Sequence, residues 1–152
     1  MAGVLTVSVD RCHELAAFRD ARLAPELAAA SEAMALRLDG VLTAPGVSPE
    51  LAGSFQAAGP FGQGNSEPRF AMPHVRVVYA ARVGGAPVRF RLAASSGERI
   101  GGIAFRAGDS PLGDALLSGD RPVWHAVGRL KLDEWRGRRR VDFHLEDLAA
   151  AN

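Results

Sequence analysis

The sequence predicts an α+β fold, in which an N-terminal lobe of mixed helix and strand is followed by a β-barrel of five strands with one short helix inserted. Three observations support this prediction. Alanine-rich segments with a helical period come before Gly59, and alanine is the strongest helix former. Beyond Phe70, five runs of β-like composition are separated by short stretches rich in glycine. A single short helix candidate, Ser110 to Gly119, lies between the third and the fourth run.

The first lobe begins with a predicted strand and a long helix. The run AGVLTVSV, residues 2–9, has its leucine and valines at alternate positions, which predicts a short strand. Asp10 is a candidate cap for the helix that follows, where apolar residues recur at helical spacing up to Met34. Pro25 lies inside this segment and predicts either a kink or the first turn of a second helix.

A second strand and a short helix complete this lobe. The run LRLDGVLT, residues 36–43, has alternating leucines and predicts a strand that is irregular near its glycine. Ser48 followed by Pro49 predicts the start of a short helix, because serine caps helix N-termini and proline is favoured in the first turn. Leu51 and Phe55 are expected to face the core.

The second part of the chain alternates with the period of a strand. In the run PVRFRL, Val88, Phe90 and Leu92 lie on one side of the predicted strand, while Arg89 and Arg91 lie on the other, solvated side. Five strands with a helix between the third and the fourth follow the chain order of a small Greek-key barrel of the OB type. The same strands are also compatible with a sandwich or a split barrel.

Composition excludes several classes of protein. Cys12 is the single cysteine, which excludes an internal disulfide and a zinc site built on cysteines. The N-terminal residues lack a basic segment followed by a long apolar run, and no apolar stretch approaches the roughly 20 residues of a membrane span. We therefore expect a cytoplasmic protein with no membrane partner.

Charge is unevenly distributed, although the net formal charge is only +1. Residues 1–60 carry four arginines against seven acids, whereas residues 61–140 carry fourteen basic residues against seven acids. Residues 141–152 add three acids and no lysine or arginine. This distribution predicts an electropositive face on the second part of the chain, and polyanions are the usual partners of such faces. A solvated surface with scattered arginines is the alternative.

The stretch GPFGQGNSEPRF, residues 59–70, is the densest local motif in the sequence. It lacks the lysine followed by serine or threonine that a P-loop needs, and no βαβ unit surrounds it. It predicts a rigid corner in which the glycines supply positive φ, the prolines fix the path of the chain and the phenylalanines fill a core. Its glycine amides are also suited to a close approach to a phosphate. The motif residues are Gly59, Pro60, Phe61, Gly62, Gly64, Asn65, Glu67, Pro68 and Phe70.

No pattern in the sequence indicates a catalytic centre. The histidines are isolated from one another, and the spacings of zinc ligands and of a nucleophile elbow are absent. The acids near the end of the chain, Asp142, Glu146 and Asp147, are best interpreted as a solvated strand face. We expect no metal and no cofactor in this chain.

The stretch LDEWRGRRRV predicts a hairpin that turns near Glu134–Gly137 and carries an indole among guanidinium groups. Single-stranded nucleic-acid sites use this combination, because every base has a π-face and every phosphate attracts arginine. Trp124 and Phe61 are further candidates for stacking. A basic hairpin tip that only favours solubility is the alternative. The candidate nucleic-acid contacts are Arg89, Arg91, Trp135, Arg136, Arg138, Arg139 and Arg140.

The motif GPFGQGNSEPRF resembles the glycine and proline motif of the RecJ family, bacterial exonucleases specific for single-stranded DNA. In that family a PFG-x-GN-x-EP-x-F stretch leads into an OB-type domain, and Ser66 stands where a proline is usual. The resemblance extends to the segments IGGIAFRAGDSPLGDAL and GRLKLDEWRGRRRVDFHLED. It implies that residues 1–58 are a remnant of a DHHA1 domain with connecting helices and that residues 59–152 are an OB-like nucleic-acid-binding domain.

The resemblance also implies a function. The chain is expected to be the single-stranded-DNA-binding C-terminal module of a 5′ to 3′ exonuclease of DNA repair and recombination, with other repair proteins as further partners. The family's catalytic DHH domain, where a divalent manganese or magnesium is expected, has no counterpart here, so the chain is interpreted as a fragment without nuclease activity of its own. The alternative is a structural or protein-interaction lobe of the same nuclease with little affinity for DNA.

Overall fold

The computed structural model describes residues 6–33, 36–119, 122–135 and 137–151, except for the side chains of residues 26–33 and of Trp135. The chain divides into two compact units, Met1–Arg37 and Leu38–Asn152. The proposed boundary between a DHHA1 remnant and an OB domain, drawn at residues 58/59, stays a prediction.

In the part of the first unit that is described, a turn of 3₁₀-helix at Val9–Arg11 precedes one long helix, α1 (Cys12–Ala33). The predicted strand at residues 2–9 is therefore wrong over its described part, since residues 6–8 form no strand and Val9 is 89% exposed. A strand needs a partner for its backbone groups, and the alternation of valines alone supplies none. Helix α1 is continuous through Pro25, so this proline does not begin a second helix. No helix among the described residues is both long and apolar enough to cross a membrane.

The described residues of the second unit form six strands and two α-helices, in the chain order that the sequence predicted for the five long strands and the inserted helix. The predicted α+β fold with an OB-like β-domain is confirmed. The elements are β1 (Gly40–Val41), α2 (Pro49–Ala57), β2 (Phe70–Arg82), β3 (Val88–Ala94), β4 (Arg99–Ala104), α3 (Pro111–Leu117), β5 (Trp124–Trp135) and β6 (Arg138–Ala150).

The strands form a ring. Their order is β1-β2-β3-β4-β6-β5, and β5 pairs back onto β2. The long strand β2 makes this closure possible, because residues 70–75 pair with β5 while residues 75–82 pair with β3. The pairing of β4 with β6 is parallel, and the other pairings among the five long strands are antiparallel.

The core fills the inside of this ring. Val88, Phe90 and Leu92 are at most 1% exposed, whereas Arg89 and Arg91 between them are exposed, as the alternation predicted. Inward side chains of the other strands complete the apolar interior, and their burial contributes about 25 cal/mol per Å² of apolar surface removed from water. The largest fully buried side chains are Phe90, Phe143, Met72, Leu92, Val75 and Val88.

Both short helices begin as the sequence predicted. The hydroxyl of Ser48 accepts a hydrogen bond from the amide of Leu51 at 3.2 Å, and that of Ser110 accepts one from the amide of Gly113 at 3.3 Å. A proline follows each cap. Helix α2 packs Leu51 and its neighbours against the core, which fixes this helix on the barrel.

The predicted strand at residues 36–43 is much shorter in the structure. Only Gly40 and Val41 pair, in parallel with Phe70 and Ala71 of β2. Leu38 is 45% exposed, so the alternating leucines do not mark a buried face. Phe70 and Ala71 pair with β1 on one side and with β5 on the other, so β1 is a short addition to the edge of β2.

Substituting Gly102 tests the packing of the ring. A Cβ at Gly102 would overlap the carbonyl oxygen of Phe143 on β6 and crowd the ring of Phe90. Because backbone atoms cannot move aside cheaply, we expect Gly102→Ala to lower the free energy of unfolding by about 2–3 kcal/mol in urea denaturation. Gly85→Ala is the control, since nothing lies within 4 Å of that position. Equal effects of the two substitutions would contradict this packing.

Candidate nucleic-acid interface

Four arginines gather on the outer side of β3, β4 and β6. Cross-strand register places Arg91 opposite Gly101 and Ala93 opposite Arg99. Phe143 is buried inside the ring, so Asp142, His144 and, by the same two-residue period, Arg140 lie on the outward side of β6. The group is referred to below as the arginine face and consists of Arg89, Arg91, Arg99 and Arg140.

The arginine face borders an open cleft of about 610 Å³ at the end of the barrel where β4 and β6 begin. Four of its lining residues are arginines, and Glu98 is the single acid among them. Such a clustering of like charge produces a positive potential that attracts phosphates. Two of the predicted contact residues on β6 and one on β3 are thus brought together, namely Arg139, Arg140 and Arg91.

Arg139 reaches the cleft from the opposite side of β6. Its guanidinium lies 3.5 Å from the carbonyl oxygen of Pro49 at the start of α2. A Cβ at Gly53 would lie 3.0 Å from the same guanidinium, so the glycine leaves room for the arginine along α2. This contact places one cleft arginine between the barrel and α2.

Asp142 lies beneath the arginine face as a buried carboxylate, 8% exposed. Nη2 of Arg140 lies 3.1 Å from its Oδ1, and Nη2 of Arg89 lies 3.8 Å from its Oδ2. Both contacts are ion pairs, and the first is too poorly aligned to count as a hydrogen bond. The sequence analysis assigned Asp142 to a solvated strand face, which is wrong for this residue because it is buried.

The predicted hairpin between β5 and β6 is present, with Trp135 paired with Arg138. Arg138 is exposed. The side chain of Trp135 and all of Arg136 lie outside the described residues. The contact of the hairpin residues with nucleic acid stays a prediction.

Two exposed aromatic residues lie outside the predicted contacts: Tyr79 is next to Arg91 of the arginine face, whereas Phe105 is at the far end of β4 from the cleft, in a pocket that Glu67 and Glu146 also line. Tyr79 on β2 is 53% exposed and is the cross-strand partner of Arg91. Phe105, just after β4, is 56% exposed and packs edge-to-face on the ring of His144 at 5.0 Å. In the sequence both residues are close to the arginine runs, and this was the one indication of their role. Which arginines they approach depends on the strand register, which only the folded sheet shows.

The environment of His144 keeps its imidazole neutral. Desolvation by burial lowers its pKa below the ordinary value of 6.5, and the Lys131 ammonium lowers it further. A neutral imidazole presents a ring edge and face without adding charge. The pair of Phe105 and His144 is therefore an aromatic surface rather than a cationic one.

Trp124 and Phe61, the other candidates for stacking, occupy different environments. Trp124 is partly buried against the core. Phe61 is half-buried in a groove between α2 and β5 that it lines together with Phe55 and Leu130. Neither residue belongs to the arginine face.

The glycine motif forms a tight turn that joins α2 to β2. Gly62 and Asn65 exchange two backbone hydrogen bonds of 2.9 and 3.2 Å, and the side-chain amide of Asn65 donates to the carbonyl of Pro60 at 3.0 Å. Gly64 has φ of +88°, which few other residues adopt. Phe70 at the end of the motif is buried and stacks on Phe55 of α2 at 4.8 Å. The predicted turn is present, but Gly64 alone of the motif glycines has positive φ, and Phe70 rather than Phe61 is in the core.

Glu67 of the motif fixes this turn to the outside of β5. Its carboxylate lies 2.6 Å from Nζ of Lys131 and 3.5 Å from Nη1 of Arg129, and its side chain is only 15% exposed. Glu146 extends the network, since it lies 2.6 Å from Arg129 and 2.6 Å from Arg69. These partly buried pairs offset two of the three positive charges beside the motif, whereas four arginines and one acid line the cleft.

No group of three or more metal-ligating side chains occurs in the described part of the chain. His74 and His125 lie edge-to-face with their ring centroids 5.0 Å apart. This contact joins β2 to β5 beside the bulge in their pairing. These two histidines are therefore packing residues.

Replacing Glu67 tests the role of the motif. In Glu67→Gln the Lys131 and Arg129 side chains lose their shared carboxylate, and we expect the free energy of unfolding to fall by about 1–2 kcal/mol. Solvent screening reduces the effect because Lys131 is 42% exposed. Asp109→Asn is the matched control: Asp109 is 90% exposed in its pair with Arg82, and a change below about 0.5 kcal/mol is expected. A larger loss in the control would contradict this role of Glu67.

Comparison with solved structures finds a similarity to RecJ from Thermus thermophilus, determined in complex with Mn²⁺. The two share 27% identity and superpose with a TM-score of 0.55 over 77% of this chain and 16% of the Thermus chain. This protein thus spans less than a fifth of the length of that relative. A replication protein A heterotrimer bound to single-stranded DNA is also similar, at 12% identity and a TM-score of 0.45, over 74% of this chain and 36% of the other. No curated protein sequence matches this chain.

The family model described as the RecJ OB domain matches residues 38–147. These residues include α2, almost all of the ring of strands and nearly all of the second compact unit. The match covers more than half of the chain, so this protein belongs to the RecJ OB domain family.

Proposed function

We propose that this chain is the single-stranded-DNA-binding module of a RecJ-type exonuclease. The observation that carries the proposal is the gathering of Arg91, Arg139 and Arg140 in one cleft of an OB-like domain. Membership of the RecJ OB domain family supports it.

The position of the arginines within the fold is the second support. OB domains bind oligonucleotides on the outer face of their second and third strands and through the loops joining strands one to two and four to five. In this chain the corresponding strands are β3 and β4, and the second of those loops is the hairpin between β5 and β6. Arg89, Arg91 and Arg138 are located on these elements.

The proposed mechanism combines charge with stacking. Guanidinium groups of the arginine face neutralise phosphates and release counterions, so the affinity falls as salt rises. Exposed bases stack on the exposed aromatic residues Tyr79 and Phe105, and on the hairpin indole of Trp135. A duplex has its bases already stacked, so single strands are preferred.

The remaining parts of the proposal concern the intact nuclease. We expect this module to hold the strand while a separate DHH domain, with its Mn²⁺ or Mg²⁺, cleaves DNA in a 5′ to 3′ direction during repair and recombination. The end of a DHHA1 domain is then expected in the residues that precede the RecJ OB domain match, 1–37. The proposed location is the cytoplasm.

Docking of other repair proteins is a second candidate function, favoured by a different observation. Helix α1 exposes apolar side chains, with Phe18 69% exposed beside a shallow groove that Val7 and Leu15 also line. A lobe that serves only for docking does not bind oligonucleotides. The titration described next therefore separates the two roles.

Removing two cleft arginines tests the binding of DNA. We expect the chain to bind a labelled oligonucleotide of about 16 nucleotides at low salt, as measured by fluorescence anisotropy, and to bind duplex more weakly. Arg91→Ala combined with Arg140→Ala weakens binding and lowers the magnitude of the salt slope by about 0.7 for each lost phosphate contact.

The control for that experiment is Arg19→Ala, which removes an exposed arginine from the first compact unit. We expect this control to leave affinity nearly unchanged. Failure of the unmodified chain to bind the single strand at low salt would refute the proposal.

Stacking is tested by Phe105→Ala. We expect a loss of affinity of about 5- to 150-fold, because stacking of a base on an aromatic ring contributes about 1–3 kcal/mol. Phe105→Trp retains binding, and Val41→Ala, which truncates a side chain that is 67% exposed on β1, is neutral. An equal loss of affinity for an oligonucleotide of abasic sugars would contradict stacking, since such a ligand has no base to stack.

A further inference from the structure

A buried carboxylate lies within the positively charged surface proposed to bind DNA. Asp142 on β6 is 8% exposed, and its outward neighbours along the strand are Arg140 and His144. Taking a carboxylate out of water is costly unless it is paired. A negative charge beneath a surface that binds polyanions also weakens their binding. We therefore expect the Asp142 carboxylate to have a role that compensates for this loss.

The two oxygens of Asp142 face arginines from two different strands. Oδ1 lies 3.1 Å from Nη2 of Arg140 on β6, and Oδ2 lies 3.8 Å from Nη2 of Arg89 on β3. Strand β4 runs between β3 and β6. The carboxylate is thus paired with Arg140 of its own strand and with Arg89, which approaches it across β4.

Gly101 on β4 leaves space for the guanidinium of Arg140 next to the carboxylate of Asp142. A Cβ at this position would lie 2.9 Å from Nη2 of Arg140 and 4.0 Å from Oδ1 of Asp142. The cross-strand partner of Gly101 on β3 is Arg91. The guanidinium of Arg140 therefore lies over the backbone of β4 because no side chain occupies that place.

The other basic group facing Asp142 has its own partner. Lys131 is the cross-strand partner of Asp142 on β5, but its ammonium lies 2.6 Å from the carboxylate of Glu67. Arg140 and Arg89 remain 55% and 44% exposed at their side chains. A guanidinium has five donors, so each of these arginines retains donors for a ligand.

We infer that Asp142 is a positioning residue that orients Arg89 and Arg140 for the phosphates of a single strand. The inference rests on the proposed function. Orienting flexible side chains before binding reduces the entropy lost when the ligand immobilises them. This gain outweighs the repulsion between the buried carboxylate and the phosphates.

Positioning by Asp142 and net charge alone predict opposite changes in DNA affinity when the carboxylate is removed. Asp142→Asn makes the surface more positive by one charge, so charge alone predicts tighter binding and a steeper salt dependence. Loss of positioning predicts weaker binding in spite of the added charge. We expect the Kd for the labelled single strand to rise about five- to tenfold.

Two further variants isolate positioning from charge. Gly101→Ala changes no charge but displaces the flexible end of Arg140, and we expect a rise in Kd similar to that of Asp142→Asn. Asp133→Asn is the charge control. Asp133 is exposed at the cross-strand position of Arg140 and forms no ion pair with any described residue, so its replacement leaves Kd unchanged or lowers it.

The outcomes separate this inference from the proposed function. If the unmodified chain does not bind the oligonucleotide, both are refuted. If it binds, and Asp142→Asn binds equally or more tightly, only the positioning role is refuted. Circular dichroism verifies the fold of each variant, and if Asp142→Asn does not fold, Gly101→Ala decides, with an unchanged Kd refuting the inference.

Discussion

The pairing of β2 with two different strands determines the architecture of the second unit. Its first residues pair with β5 and its later residues pair with β3, so the sheet closes into a ring. Closure gives every long strand an inside and an outside, and it leaves few unpaired edges. The alternation of Val88, Phe90 and Leu92 with arginines then has one stable orientation, because a slip of one residue would bury the arginines.

The glycine motif connects α2 to the start of β2, where this closure begins. Its turn is held internally by Asn65 and externally by Glu67, which pairs with Lys131 on β5. Phe70 is both the last residue of the motif and the first residue of β2, and it stacks on Phe55. The motif is therefore a structural joint between α2 and the ring, and its glycines serve the path of the chain.

Ion pairing divides the outer surface into two regions. Near the motif, Glu67 and Glu146 form partly buried ion pairs with Arg129, Arg69 and Lys131, which leaves one positive charge unbalanced there. At the start of β4 and β6, the cleft has four arginines and one glutamate among its lining residues. The larger excess of positive charge is thus at the cleft, which favours the cleft over the surface near the motif for attracting phosphates.

The sequence by itself determined which residues face inward on β3, where the two short helices begin, and that the motif forms a turn. These features depend on neighbours in the chain: the alternation around Phe90, and the serines that cap α2 and α3. Tertiary structure alone decided that Arg140, Gly101 and Asp142 meet, and that Tyr79 is next to Arg91. The reason is that cross-strand register and ring closure join residues distant in sequence, and no local pattern encodes which of them become neighbours.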